Sequence, residues 1–486
     1  MKPLLRTALA AILALAAVAQ TVPPFPQVAN LLTANGLKAD VSFLASDALE
    51  GRGTPSRGLD IAAEYIAAQF RRAGLEPVGD DGYFQTAPFA FVTPNSGGLE
   101  FSLESGGRTL RADPASMSLQ EAAALELNRA PVFKLTARDR AAIDGLTAEQ
   151  VKGKVLLVES AGFGMAHRLS QAAARAQAAL VVIVRTAVPP TGANPQLTDT
   201  SSGGVPVLTV ADPAVRAAVA AAQPGPMDGA VSVHIAAPTV APAKLRNVVG
   251  LLRGSDPALK DTFVVLTAHY DHLGIRRSGE GERIYNGAND DASGTASLIE
   301  IAGALSGLPA RPKRSLVFIA LFGEERGELG SHYYVEHPVF PLDRTIADVN
   351  LEQLGRTDES GEGPKIGQFN LTGFDFTDLA DVFRQSGERT GIRVVKDESR
   401  SDPYFARSDN AAFAEAGVPS TTLSVTYEFS DYHAPGDKWP KLDYENMAQV
   451  DRTIAVAAYS LADSPGEPHW NDANPKTEPY REARAR

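Results

Sequence analysis

The sequence contains no cysteine. Disulfide cross-links and thiolate metal sites are therefore excluded, and any bound metal must rest on histidine and carboxylate. Basic clusters are also missing. Lys and Arg number 46 against 58 Asp and Glu, a net charge of -12 scattered along the chain. Such a balance disfavours nucleic acid and anionic membrane as partners. Long apolar runs are absent after the first nineteen residues, where no segment reaches the ~20 residues of a membrane span. The start of the chain is different. Lys2 and Arg6 precede an Ala/Leu/Ile/Val run from Ala8 that closes on Ala17-Val18-Ala19. A basic region, a short apolar stretch and an A-x-A site predict a cleaved signal peptide over 1–19 and export to the periplasm or the medium. The absence of cysteine also rules out a lipid anchor on that residue.

What is present suits a globular chain. Its 486 residues, 44% hydrophobic and 21% charged, are enough for two or three domains. Asp60 to Arg72 reads as a helix with a broad apolar face, stopped by Gly74. The preceding stretch from Ala45 to Gly53 carries two glycines and reads equally well as a loop near a functional site or a plain turn. Residues 83–110 alternate weakly, as short strands do. From about 140 strand-like runs (154–158, 180–184, 204–210) alternate with Ala-rich helical ones, and a Pro/Ala-rich stretch at 236–243 closes the unit. We expect a compact inserted domain over 141–240, without a polar constellation of its own. The surrounding segments, 20–140 and 241–462, form one discontinuous domain. Asp443 to Ala462 predicts a last helix, and 463–486, polar and Pro-rich, predicts a flexible tail.

The chemistry-bearing residues concentrate after Val264. An apolar strand, Val264 to Ala268, breaks into His269-Tyr270-Asp271-His272. A Gly/Asn-rich loop ends in Asn289-Asp290-Asp291, before an apolar helix from about Thr295 to Leu305. A second strand, Ser315 to Phe322, stops at Gly323 and delivers Glu324-Glu325. Ligands of open parallel sheets bind beyond the carboxyl ends of the strands, and carboxylates gathered there need a cation to neutralise them. His269 and Asp271, two apart past a strand, can point the same way, the imidazole as ligand and the carboxylate fixing its tautomer. Asp290, at a helix start that favours negative charge, has two oxygens that could bridge two cations. Of Glu324 and Glu325, one suits a ligand and the other a base for water. Glu352 ends another strand-like run, and His433 in Tyr432-His-Ala-Pro-Gly-Asp437 supplies a second imidazole. His272 reads as packing beside the site, and His167, His234, His332, His337 and His469 as structural or surface residues. Two histidines, one bridging and two terminal carboxylates make a ligand set for two zinc ions about 3.5–4 Å apart.

These segments resemble the M28 family of zinc peptidases, the co-catalytic aminopeptidases. The similarity is carried by Thr267-Ala-His-Tyr-Asp-His-Leu-Gly274, Asn286 to Gly294, Phe322-Gly-Glu-Glu to Ser331, Ser408-Asp-Asn-Ala-Ala-Phe413 and Tyr432 to Asp437. Residues 44–76 resemble the family's N-terminal lead-in, and 141–240 the protease-associated domain. The resemblance implies an α/β zinc exopeptidase fold, with a mixed, largely parallel sheet flanked by helices and a β-rich insertion. It implies two Zn2+ per chain: His269 and Glu352 on one, Glu325 and His433 on the other, and Asp290 bridging. Glu324 would be the general base, Tyr432 the donor to the oxyanion, Asp271 the group orienting His269, and Asp409 a support behind the ligands. Glu352 stands where bacterial members commonly have Asp, and Arg326-Gly327 replaces the commoner Leu-Gly. The expected activity is removal of N-terminal residues from peptides with a free N-terminus, by a monomer or weak homo-oligomer. The alternatives are a glutaminyl cyclase or a glutamate-carboxypeptidase-like hydrolase on the same scaffold.

Overall fold

The computed structural model describes residues 25–121, 123–135, 142–143, 145–159, 165–188, 195–201, 204–358 and 363–485. The expected signal peptide lies outside them. The chain divides into two units, residues 1–86 with 246–486, and residues 87–245.

The first unit is built on a sheet whose central strands Phe263–His269 and Ser315–Leu321 are near-continuous apolar runs, as expected where helices cover both faces. Seven strands of the sheet are, in chain order, β1 (Thr239–Leu252), β2 (Phe263–His269), β3 (Ser315–Leu321), β4 (Thr345–Leu351), β5 (Gln368–Leu371), β6 (Arg393–Val395) and β7 (Ser420–Ser424). Across the sheet the order is β6-β5-β7-β4-β2-β3-β1. The four middle strands are mutually parallel, with Val265 beside both Val317 and Asp348, and Val349 beside Thr421. β1 joins β3 antiparallel and β5 joins β7 antiparallel. Alternation assigns the two faces. Val265, Val317, Ile319 and Leu321 pack with Tyr334 and Phe413 from the helices Leu329–Glu336 and Asn410–Glu415. On the other face Phe318 meets Phe70 of the helix Arg57–Ala73, ring centroids 6.4 Å apart. That helix starts three residues before the expected Asp60, where the Ser56 side chain accepts from Leu59 N, and ends at Gly74 in the left-handed conformation, the stop expected from sequence. The helices Gly294–Ser306 and Tyr444–Asp463 are buried along most of their length.

The C-terminal segment corrects the expectation of a flexible tail over 463–486. Residues Pro475–Thr477 and Glu478–Arg484 are helical, so the helix ending at Asp463 is not the last. Trp470 is buried against Phe405 and stacks on Tyr480 at 4.9 Å, and its Nε1 donates to Gly417 O at 2.9 Å. Polar composition concealed two aromatic anchors, which are enough to dock a short segment.

The second unit carries an eight-stranded sheet, in the order Arg108–Arg111, Glu100–Ser105, Gly225–Ile235, Leu125–Leu135, Val155–Glu159, Leu180–Val184, Val207–Val210 and Met117–Glu121. The insertion is β-rich as expected, but its boundary is not at 141. Strands between residues 100 and 135, expected in the surrounding domain, pair into this sheet: Val231 faces Leu103 on one side and Ala130 on the other. Such pairing between segments some hundred residues apart leaves no mark in local composition. His234 sits at the surface beside Glu126, 2.6 Å away. Among the described residues, no helix is long and apolar enough to cross a membrane.

Candidate metal centre

Topology brings the strand ends together. His269 is the last residue of β2; Glu324 and Glu325 follow β3; Glu352 follows β4; the loop after β7 carries Tyr432 and His433. Asp290 enters from the turn Ala288–Ser293 that precedes the helix Gly294–Ser306.

The five expected ligands converge. Asp290 Oδ1 lies 3.4 Å from His269 Nε2, and its Oδ2 lies 3.1 Å from His433 Nε2. One carboxylate thus faces two imidazoles with different oxygens, the arrangement a bridging ligand requires. Glu325 Oε2 is 3.3 Å from His433 Nε2. His269, Asp290 and Glu352 form one group whose ligand atoms all lie within 4.8 Å of one another. Ligands of a tetrahedral ion with bonds of 2.0–2.1 Å stand about 3.3 Å apart, so these separations fit a zinc-sized cation on each side of Asp290. Both ring nitrogens of His269 are buried and have no hydrogen-bond partner, which also suits a metal ligand. The longer side chain of Glu352, compared with Asp, still reaches the group.

The supporting residues are as informative. Asp271 Oδ1 is 3.6 Å from His269 Nδ1 and accepts from Glu324 N at 3.1 Å, while its Oδ2 accepts from Thr54 Oγ1 at 2.8 Å. It therefore ties the glutamate pair to the N-terminal segment and stands beside the histidine. Asp409 is buried and accepts from Ser331 Oγ; burial pushes its carboxyl up to about 7 against the pull of His269. The helix-start argument made for Asp290 belongs instead to Asp291, whose Oδ1 accepts from Gly294 N and Gln353 N, both at 3.0 Å. Asp290 is placed by Asp437, whose carboxylate accepts from Asn289 N and from Asp290 N (3.1 Å).

The electrostatics are those of an anionic cup. Burial pushes Glu324 well above the carboxylate range; His269 opposes this, and Glu352, Asp409 and Glu325 add to it. Burial likewise raises Glu352. For Asp290 burial acts the same way, but contacts with His269 and His433 outweigh it and hold the carboxyl below its ordinary range. Tyr432 stacks on His433 at 4.1 Å. Burial first, then Asp290, Glu352, Glu325 and Glu324, raise its phenol, so it keeps a proton that it can donate.

The cavity over this cluster is lined by Asp290, Glu324, Glu325, Glu352, Tyr432 and His433, and beyond them by Gln353, Thr372, Tyr404, Arg407, Ser408, Thr422, Ser424, Tyr427 and Glu428. Its outer wall is mostly hydroxyl-bearing. Arg407 is the one arginine or lysine lining it among the described residues, with its guanidinium over the Tyr404 ring at 4.2 Å.

Several residues here were not expected from sequence. The stretch from Ala45 to Gly53 proves to hold a kinked 3-10 segment, Asp47–Arg52, beside the site. Its Arg52 is fully buried and donates from Nε to Tyr270 O (2.8 Å), from Nη1 to Leu44 O and Asn286 O, and from Nη2 to Gly287 O (2.9 Å). An arginine flanked by two glycines was the available signal. His272 does not merely pack beside the site: its Nδ1 lies 2.7 Å from Glu325 Oε1.

Comparison with known proteins follows this geometry. Residues 247–458 match peptidase family M28. The chain is similar to aminopeptidase YwaD of Bacillus subtilis (strain 168), 27% identical over 229 residues that cover 46% of each protein. It is also similar to a probable zinc metalloprotease of Pyricularia oryzae, 26% identical over 273 residues, covering 46% of this chain and 51% of that one. The chain spans about half the length of the curated relatives it matches. Among solved structures, an aminopeptidase from Aneurinibacillus sp. strain AM-1 aligns with TM-score 0.49 at 21% identity, over 91% of this chain and 97% of that one. Residues 247–458, the segment that matches peptidase family M28, supply all five of the converging side chains.

Proposed function

We propose that the protein is an exported zinc aminopeptidase that holds two ions per chain, works as a monomer or weak homo-oligomer, and removes N-terminal residues from peptides with a free N-terminus. The observation that carries this reading is Asp290, one carboxylate whose two oxygens face His269 and His433 separately. His269, Glu352 and Asp290 would hold one ion, and His433, Glu325 and Asp290 the other. When bound, zinc supplies Lewis acidity, which activates water near neutral pH and polarises a carbonyl.

The chain's own residues do the rest. Glu324 lines the cavity, its Oε2 3.9 Å from His269 Nε2, and its backbone is fixed by Asp271. It takes the proton from the attacking water and returns it to the departing amine. Tyr432 donates where negative charge develops on the substrate oxygen. The carboxylates of the cup, with Glu428 at its wall, complement an α-ammonium group. The test is a peptide with a free N-terminus against its acetylated twin: the free peptide is expected to be cleaved and the acetylated one spared. Equal cleavage would overturn the assignment as an aminopeptidase. Glu324→Gln is expected to abolish turnover while zinc content stays unchanged.

Arg407 favours a second reading, a glutamate-carboxypeptidase-like hydrolase in which this cation receives a substrate carboxylate. Cleavage of an N-acetylated peptide ending in Glu, lost in Arg407→Gln, would select it. Turnover of an N-terminal Gln substrate to the cyclic product would select the cyclase.

A further inference from the structure

His272 has no part in the mechanism above, yet the fold goes to some length to place it. Its side chain is 1% exposed. Its backbone N donates to Arg52 O at 3.2 Å. Room for the ring is made by Gly287, which has φ +56; a Cβ there would come within 2.5 and 2.6 Å of His272 Cγ and Cδ2. The ring stands edge-on to that of His433, centroids 5.7 Å apart.

Distances decide what the imidazole does. His433 Nε2 stands 3.1 Å from Asp290 Oδ2 and 3.3 Å from Glu325 Oε2, the spacing of two ligands on one ion. His272 Nδ1 stands 2.7 Å from Glu325 Oε1 and 3.9 Å from Asp290 Oδ2. The shorter distance is too close for two tetrahedral ligands, at about 3.3 Å, and falls at the near end of hydrogen-bond spacing. It also involves the other oxygen of Glu325, the one turned away from His433. The approach is not in line, and His272 Nδ1, His272 Nε2 and Glu325 Oε1 have no well-formed hydrogen bond among the described residues, each other included.

We infer that His272 is a positioning residue for the ion held by Glu325 and His433. It presents Nδ1–H to Glu325 Oε1, which fixes the carboxylate so that Oε2 faces the ion. The inference rests on the zinc reading given above, and it makes the two ions unequal: loss of His272 weakens one and spares the other.

The experiment measures zinc affinity at both sites by competition with a chromophoric chelator, together with the visible absorption of the cobalt-substituted protein. The variants are His272→Phe, which keeps the buried ring, and His272→Asn, whose amide stands in for Nδ1–H. In His272→Phe one ion is expected to bind about 10–100-fold more weakly, the usual effect of removing a group behind a ligand. His272→Asn is expected to recover most of that loss. Equal affinities in wild type and His272→Phe overturn the inference. So does a loss in His272→Asn as deep as in His272→Phe with an altered cobalt spectrum, which would make the imidazole a direct ligand. A wild-type protein that binds no second ion would overturn the two-ion reading instead, and is distinguished by stoichiometry alone.

Discussion

Arg52 offers the sharpest test of how the centre is held. Its guanidinium, wholly removed from solvent, ties four backbone carbonyls: Leu44 before the kinked segment, Tyr270 after β2, and Asn286 and Gly287 ahead of Asp290. Burial lowers its pKa to about 10, with Asp271, Asp291, Asp437 and Asp290 pulling upward, so it stays charged at neutral pH. Arg52→Met preserves most of the volume and removes every donor. Each stranded buried acceptor costs about 1–3 kcal/mol, a gross figure of roughly 4–12 kcal/mol for four. Against this, the desolvation of the guanidinium, several kcal/mol, no longer has to be met. A net loss of about 3–5 kcal/mol is expected, in line with breaking a buried charged network from one side. Arg52→Lys keeps the charge but lacks the planar fork, and should fall between the two. Urea unfolding followed by tryptophan fluorescence suits the measurement, because both tryptophans, Trp439 and Trp470, lie in the unit that carries the site. A loss below about 1 kcal/mol, no more than one ordinary hydrogen bond, would refute the reasoning. So would a lysine variant as stable as wild type.

Away from the site, burial and neighbouring Asp40 push the Glu300 carboxyl up to about 7. The folded protein then binds a proton there that the unfolded chain has released, so stability falls as pH rises from about 4.5 to about 7. Glu300→Gln should flatten that fall, and an unchanged pH–stability profile would refute the assignment. Trp470→Ala removes the anchor of the C-terminal segment and should cost about 3–5 kcal/mol; a change within experimental error in the same unfolding assay would restore the picture of a free tail. In the metal-free protein, burial of His433 is outweighed by Asp290 and Glu325, which raise the imidazole to about 10. Zinc binding at pH 7 should therefore expel a proton, which calorimetry in buffers of differing ionisation heat detects, and affinity should strengthen as pH rises. Chelation should lower the unfolding free energy of the unit that carries the site by about 2.7 kcal/mol for each site previously held at a hundred times its Kd.

The sequence by itself determined the parallel strands, because runs such as Val264–Ala268 and Ser315–Leu321 are apolar on both faces and need helices over each. It also marked the residues at their ends, since a histidine and carboxylates directly after buried strands have few uses other than binding a cation. His269, Glu325 and Glu352 were legible as candidates for that reason, and Asp290 and His433 from the motifs around them. Their division around Asp290 was implied by the family resemblance and not by local pattern; which oxygen faces which imidazole was decided by tertiary structure. So were the work of Asp437 and Arg52, the contact between His272 and Glu325, the start of the inserted unit at residue 87 and the docking of Trp470. Each of these depends on a partner distant in the chain, and local pattern records a residue's own preference but not what folds against it.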